Sequence, residues 1–309
     1  MAFIGVDHGT TAMRFALIEG EKVLTFELGR SEAAAMSEKE ILESIEKEFG
    51  VKVKDIDLIA LTYSMGDGFS EIKDVKKIEG RGGLQSTEGA GKKTGGGTRV
   101  FDAVKNSGIP AIAIPGLHTR SKVDPRMKVF SHLTSPEKLG GIAYHIRCMG
   151  YKDFVVSDIS SNTVTLAVAS GKVIGGAIDA CIFAPGVHHG PLDLEAIRNV
   201  DDGLRTANQA FMEAGALKMT PYKDRGGELL NAAENGEEPA LLALDTISLF
   251  AAMEIVSMQL LLKEYGVTGA AFLAGSVGEV EYVQKKSAGT LARNASALGN
   301  GMLQLAVPG

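Results

Sequence analysis

The sequence predicts a two-lobed α/β fold made of duplicated halves with a cleft between them, and three observations carry that expectation. Two stretches repeat one pattern: residues 3–23 read FIGVDHGTTAMRFALIEGEKV and residues 154–173 read FVVSDISSNTVTLAVASGKV. Each is an apolar run entering an aspartate, then small or hydroxyl-bearing residues, an alternating strand, a glycine turn and Lys-Val, the signature of a strand-turn-strand unit. Each copy opens a half of similar length in the 309-residue chain. Around the copies, strand patterns alternate with helical ones, the order of layered α/β structure.

The elements follow from local signals. After a return strand at 23–28, Ser37 and Glu40 form a capping box for a helix running to Gly50. Strands are expected at 57–62 and 110–114, and Ser135-Pro136 starts a helix ending near Gly150. Beyond the second hairpin come a strand at 172–178 and helices near 193–198 and 204–214. The apolar stretch 240–262 carries Asp245 and Glu254, which a bilayer penalises, so it reads as a buried core helix begun by Pro239 and stopped at Gly266. Met253 and Met258 on it read as core filling. A short strand at 269–274 opens into Gly275-Ser276-Val277-Gly278, and a last helix is expected over 294–306. The segment 81–99, RGGLQSTEGAGKKTGGGTR, reads as a surface loop or as a loop closing on an anion through Lys92, Lys93 and Arg99. It is not a Walker A loop, because Lys93 stands where Ser or Thr is required.

Composition narrows the function. With 45% hydrophobic residues the chain buries a full core, and a net charge of −6 provides no basic footprint for nucleic acid. Cys148 and Cys181 lack metal-site spacing and read as reduced thiols. The first residues show no basic segment followed by an apolar run, so a cytoplasmic protein without a membrane span is expected.

A phosphate chain needs several close donors, which small residues in a tight turn supply through backbone N–H groups. Gly9, Thr10 and Thr11 do so after Asp7, and Ser160, Ser161, Asn162 and Thr163 do so after Asp158. Asp7 and Asp158 are the candidate Mg²⁺ groups, acting through water as Mg²⁺ prefers. To orient or deprotonate an acceptor, His189 and Asp193 in the run His188-His189-Gly190-Pro191-Leu192-Asp193, with Arg198 beyond, are the first candidates; Asp193 as a helix N-cap is the alternative. Asp67 is a second candidate base, although beside Gly66 and Gly68 it reads first as a turn residue. His118, His132 and His145 lack metal spacing and read as hydrogen-bonded loop or core residues.

These motifs resemble those of the acetate and sugar kinase, heat-shock-70 and actin superfamily, which have an actin-like ATPase (ribonuclease H-like) fold. Asp7 to Thr11 resembles its first phosphate motif, Asp158 to Thr163 the second, and Phe272 to Gly278 the adenosine motif, which implicates Gly275, Ser276 and Gly278 in nucleotide binding. Ser160 and Ser276 stand where that superfamily usually has glycine. The resemblance implies an N-terminal lobe at 1–145 with a Gly-rich insertion, a C-terminal lobe at 146–293, and a crossing helix at 294–309. A closer resemblance is to the methanogenesis marker protein 12 family, on TGGGTRVFDA, IPGLH, SDISSNTVTL and DACIFAPGVHHGPLDLEAIR. Together they imply ATP and Mg²⁺ as cofactors and phosphotransfer to a small acceptor. Two other readings stand beside it: an ATPase switch acting on a protein partner, with Cys181 as a cluster ligand in one variant, and a nucleotide sensor without turnover. A homodimer is kept open.

Overall fold

The computed structural model describes residues 1–9, 12–62, 68–79, 95–177, 182–223, 228–293 and 303–304. Contacts divide the chain into two units, 1–120 with 135–140, and 121–134 with 141–309.

In the first unit, strands β1 (Ala2–His8), β2 (Ala12–Glu19) and β3 (Lys22–Gly29) form an antiparallel meander. Helices α1 (Arg30–Ala35) and α2 (Glu38–Phe49) carry the chain to β4 (Leu58–Thr62), which pairs parallel with β1, as a helical crossover requires. Strand β5 (Lys73–Asp74), helix α3 (Gly96–Ser107), β6 (Ala111–Ile114) and the short β7 (Leu117–His118) complete it. The six-stranded sheet has the order β3-β2-β1-β4-β6-β5. Its core includes Ile4, Phe15, Ile41, Ile45, Ile59, Leu61, Phe101 and Val104. Phe26 stacks on Phe15 at 4.6 Å and meets the edge of Phe49 at 5.0 Å, tying the meander to α2.

Helix α2 begins as the sequence predicts. Ser37 Oγ accepts from Glu40 N, and Glu40 Oε2 accepts from Ser37 N at 2.7 Å; Gly50 ends the helix at φ 67°. Ser37→Ala is therefore expected to lower unfolding free energy by about 1 kcal/mol, read from urea denaturation.

The second unit repeats the design. After β8 (His132–Thr134) and α4 (Tyr144–Cys148), strands β9 (Phe154–Ile159), β10 (Thr163–Ala169) and β11 (Lys172–Ala177) form the second antiparallel meander. Helices α5 (Leu194–Asp201), α6 (Ala207–Met212), α7 (Leu230–Glu234) and α8 (Glu238–Glu264) follow, and α8 delivers the chain to β12 (Ala270–Ala274), parallel to β9. Helix α9 (Glu281–Arg293) and β13 (Leu303–Gln304) complete the order β11-β10-β9-β12-β13. Every residue of β9 and β10 is buried, as strands covered on both faces are, and α8 packs on both.

Four expectations are corrected. Residues 303 and 304 are strand, pairing with Ala271 and Phe272, where the sequence predicts a helix over 294–306; 294–302 and 305–309 lie outside the described residues. Within the Gly-rich segment 81–99, residues 96–99 open α3, and Gly96, Gly97 and Thr98 are buried; the small residues admit Arg30 O to 2.4 Å from where a Gly96 side chain would begin. Its residues 81–94, with Lys92 and Lys93, lie outside the described residues. The helix begun at Ser135-Pro136 contains a π-helical stretch at Lys138–Ala143 before α4. Helix α8 is not wholly buried: Met258 is core, but Met253 is exposed.

Candidate functional site

In the first unit the hairpin register sets the site. Asp7 pairs with Arg14 across β1 and β2, and Arg14 Nη1 lies 3.3 Å from Asp7 Oδ2 while its Nε donates to Glu27 at 2.8 Å. Arg30 Nη1 donates to Gly9 O at 2.9 Å, so two guanidinium groups border the turn after β1. A side chain at Gly9 would begin 2.6 Å from Arg14 Nη1 and 2.7 Å from Ala12 O, so only glycine fits there. Thr62 Oγ1 donates to Val6 O at 3.1 Å and stands 3.4 Å from Asp7 Oδ1. Thr10, Thr11 and Asp67 lie outside the described residues.

Two titratable neighbours of this turn escape sequence reasoning. Burial pushes His8 down to about 4, opposed by the Asp7 carboxylate and the carbonyl of Gly97, so His8 is neutral at physiological pH. Glu137 is raised, by burial first, with Lys138 opposing and Asp7 adding to the rise. The Asp7–Arg14 pairing is readable from the predicted hairpin register; nothing local marks Glu137, which is 130 residues away from Asp7 in the sequence.

In the second unit three separated sequence motifs converge. Strands β9 and β12 place Asp158 opposite Ala274, and Gly275 turns directly behind them at φ 87°. A side chain at Gly275 would begin 2.0 Å from Asp158 Oδ1, 2.5 Å from Ile159 O and 2.6 Å from Ser160 Oγ. The amides of Val277 and Gly278 both donate to Ile159 O at 3.0 Å, locking the 275–278 turn to the end of β9. The segment 185–189 supplies the third motif: Val187 N donates to Ser160 O at 3.1 Å, and the amides of His188 and His189 donate to Ser161 O at 3.0 and 2.9 Å. Asp158 and Ser161 are buried, Ser160 and Asn162 partly so, and Ser276 is exposed at the turn.

Thr163 is fully buried and its hydroxyl donates to Pro185 O at 2.9 Å, so its side chain clamps two loops together. The amides of Val277 and Gly278 are likewise committed, which leaves Gly278 a close-packing role; its side-chain position is 2.2 Å from Ala274 O.

The acceptor candidates separate. Asp193 caps α5, its Oδ1 accepting from Ala196 N at 2.9 Å, and is exposed. Arg198 is exposed, 3.7 Å from Glu195. His189 is buried, stacked on Phe211 with centroids 4.3 Å apart, and its Nε2 lies 3.0 Å from Met212 Sδ. His118 is a core residue, its Nε2 2.9 Å from Phe69 O. Cys181 lies outside the described residues and Cys148 is exposed.

In the second unit the donors suit magnesium and a nucleotide: Asp158 offers a hard oxygen ligand, Ser160 a hydroxyl, and the Gly275 turn a surface without a Cβ; in the first unit Asp7 offers the same kind of oxygen. Among the described residues no group of three or more His, Cys, Asp and Glu side chains forms a metal cage.

Solved structures share this fold. They include a propionate kinase from Francisella tularensis subsp. tularensis SCHU S4, with TM-score 0.62 and 15% identity over 94% of this chain and 88% of that one. An acetate kinase from Porphyromonas gingivalis matches with TM-score 0.63 and 14% identity over 98% of this chain and 91% of that one. The fold is thus the α/β, actin-like fold that the acetate and propionate kinases share. No family model matches the chain. The chain belongs to the UPF0285 family: it is 95% identical over 299 residues to the UPF0285 protein of Methanosarcina mazei, covering 97% of this chain and 91% of the relative.

Proposed function

We propose that the chain is an ATP-dependent phosphotransferase acting on a small acceptor, with a carboxylate as the acceptor class. The observation that carries this reading is the convergence of Asp158, the 160–162 turn and the Gly275 turn at the ends of two adjacent parallel strands. Asp158 would hold Mg²⁺ through water, the 160–162 turn would meet phosphate oxygens, and Gly275 and Ser276 would lie against the nucleoside; in the first unit Asp7 and Gly9 offer the same carboxylate-and-turn chemistry. When bound, the metal neutralises charge on the β- and γ-phosphates.

In the transfer, the bond between the γ-phosphorus and the ADP oxygen breaks and one to the acceptor oxygen forms. A carboxylate is already ionised at neutral pH, so it needs no base. Beside the first unit's turn His8 is held near 4; beside the second unit's, His189 packs against Met212 and Phe211, and the partly buried His188 stands next to it. The acetate and propionate kinases that share the fold are named for carboxylate acceptors.

Asp158→Asn is expected to abolish the Mg²⁺-dependent rise in melting temperature with ATP while leaving circular dichroism unchanged. Asp7→Asn should weaken the same shift at least tenfold in apparent affinity. An undiminished shift in both variants overturns the assignment. Product formation from ATP and a panel of short carboxylates, monitored by ³¹P NMR, decides the reaction; release of inorganic phosphate only in the presence of a protein partner would favour the switch reading instead.

A further inference from the structure

Of the acidic residues on α8, Glu254 alone is buried, and nothing in the transfer step uses it. Its Oε2 lies 2.7 Å from Thr165 Oγ1 on β10, and the carboxyl also faces the amide of Ala184. One turn earlier on the helix, Phe250 packs on Phe183 with ring centroids 5.3 Å apart. Residues 183 and 184 are thus seated on α8 at two points that share one helix face. From there the loop runs directly to the 160–162 turn. Thr163 Oγ1 donates to Pro185 O, and the amides of Val187, His188 and His189 donate to the carbonyls of Ser160 and Ser161. A side chain at Gly186 would begin 2.4 Å from Asn162 Cα, so the two backbones lie in contact. Residues 183–189 therefore connect Glu254 at one end to the turn at the other.

No fixed charge balances Glu254. Strand β10 carries no ionisable residue, and Asp158, the only one on β9, lies on the strand face opposite Ser157. Lys172 on β11, His188 and His189 on the loop, Lys218 beyond it and Glu234 on α7 exert no charge effect on Glu254, nor do Lys285 and Lys286 of α9, which pair with Glu281 and Asp245. Burial drives its acidity down against two hydrogen bonds that favour the charged form, and its pKa stands at about 8.

We propose that Glu254 is a positioning residue for the nucleotide site, holding the 183–189 loop, and through it the 160–162 turn, in the arrangement that binds phosphate. The inference rests on the nucleotide reading of that turn. The neutral acid donates to Thr165 and offers its other oxygen to the Ala184 amide, so one group joins strand to loop. An ionised carboxylate in the same place is a buried charge without a cation, and it must draw in water or lose a neighbour. Strand β10 is held by ladders to β9 and β11, whereas residues 183–189 belong to no strand, so the loop is the neighbour that yields. Nucleotide affinity is therefore complete well below pH 8 and falls as pH rises through that value. By linkage, bound nucleotide makes Glu254 hold its proton more tightly.

Isothermal titration calorimetry of the full chain with Mg²⁺ and a non-hydrolysable ATP analogue, at pH 7 and pH 9, tests the proposal. In the unaltered protein the apparent Kd should rise on the order of tenfold over that interval, because about one tenth of Glu254 keeps its proton at pH 9. Glu254→Gln keeps a donor for Thr165 and an acceptor for Ala184 at any pH. It should match the unaltered protein at pH 7 and hold that affinity at pH 9. A role confined to stability would move the melting temperature and leave the two affinity profiles parallel. Amide hydrogen exchange at 187–189 reads the loop without nucleotide. The rate in the unaltered protein relative to the variant, compared at one pH so that intrinsic exchange cancels, should grow on the order of tenfold from pH 7 to pH 9. Parallel affinity profiles, or a rate ratio that does not change, overturn the proposal. If neither protein binds nucleotide at either pH, the nucleotide reading falls and takes the phosphate-binding role with it, and the exchange ratio alone then decides whether Glu254 holds the loop.

Discussion

Gly275→Ala is expected to cost the protein on the order of 3 kcal/mol of unfolding free energy and to remove nucleotide stabilisation, because two effects add. The left-handed backbone at φ 87° disfavours any residue with a Cβ by roughly 1–2 kcal/mol. The new methyl group also meets Asp158 Oδ1 at 2.0 Å and Ile159 O at 2.5 Å, and overpacking of this kind costs about 1–3 kcal/mol. Relief requires the β9 end or the 275–278 turn to move, and either motion displaces Asp158. Gly266→Ala is the control, because Gly266 has φ 73° and open space at its side-chain position. It should lose about 1 kcal/mol and keep its response to Mg²⁺ and ATP. Urea denaturation compares the stabilities and thermal shift compares the ligand responses. Equal losses in the two variants would show that the close approach at Gly275 carries no weight.

Glu254→Gln is expected to stabilise the protein increasingly as pH rises from 5 to 8. Glu254 is 1% exposed, and burial pushes it up to about 8, against the hydrogen bonds from Thr165 and the Ala184 amide. The hydrogen bonds agree with a protonated acid: Glu254 Oε2 lies 2.7 Å from Thr165 Oγ1, which in turn lies 2.9 Å from Ser157 Oγ. Thr165 has one proton, so if it donates to Ser157 the proton in the first contact belongs to Glu254. A folded pKa above the unfolded one means the folded state holds a proton that the unfolded chain releases. The associated stability is complete below the unfolded value near 4.5 and is lost as pH rises through about 8, by ~1.4 kcal/mol per unit. The glutamine side chain keeps a donor to Thr165 and does not titrate. The difference in stability between the Glu254→Gln variant and the unaltered protein should therefore grow by on the order of 3 kcal/mol between pH 5 and 8, then level off. His8, lowered to about 4, gives the opposite slope below its ordinary value, and it cancels in the comparison because both proteins contain it. A difference independent of pH would place an ionised carboxylate at position 254.

Much of this molecule is written locally. The two meanders, the capping box of α2, the start of α8 at Pro239 and its stop at Gly266 each depend on residues within a few positions of one another, where strand alternation, side-chain caps and left-handed glycines act. The repeated hairpin is legible for the same reason, and it leads to Asp7 and Asp158. Helix α9 escapes a sequence reading because its pattern is weakly amphipathic, with few buried positions, and α3 because its first turn is built of glycines that usually mark loops.

What the amino-acid order determined alone is thus the kind of fold, its internal repetition and the identity of the acidic turns, since short-range geometry is encoded in short-range sequence. Tertiary packing decided the rest: that the Thr163 hydroxyl serves Pro185, that Gly275 lies against Asp158, that 303–304 joins a sheet, and that one side of α8 faces outward. Each of those facts depends on which distant segments meet, and burial, steric exclusion and the pairing of buried polar groups exist only once they have met.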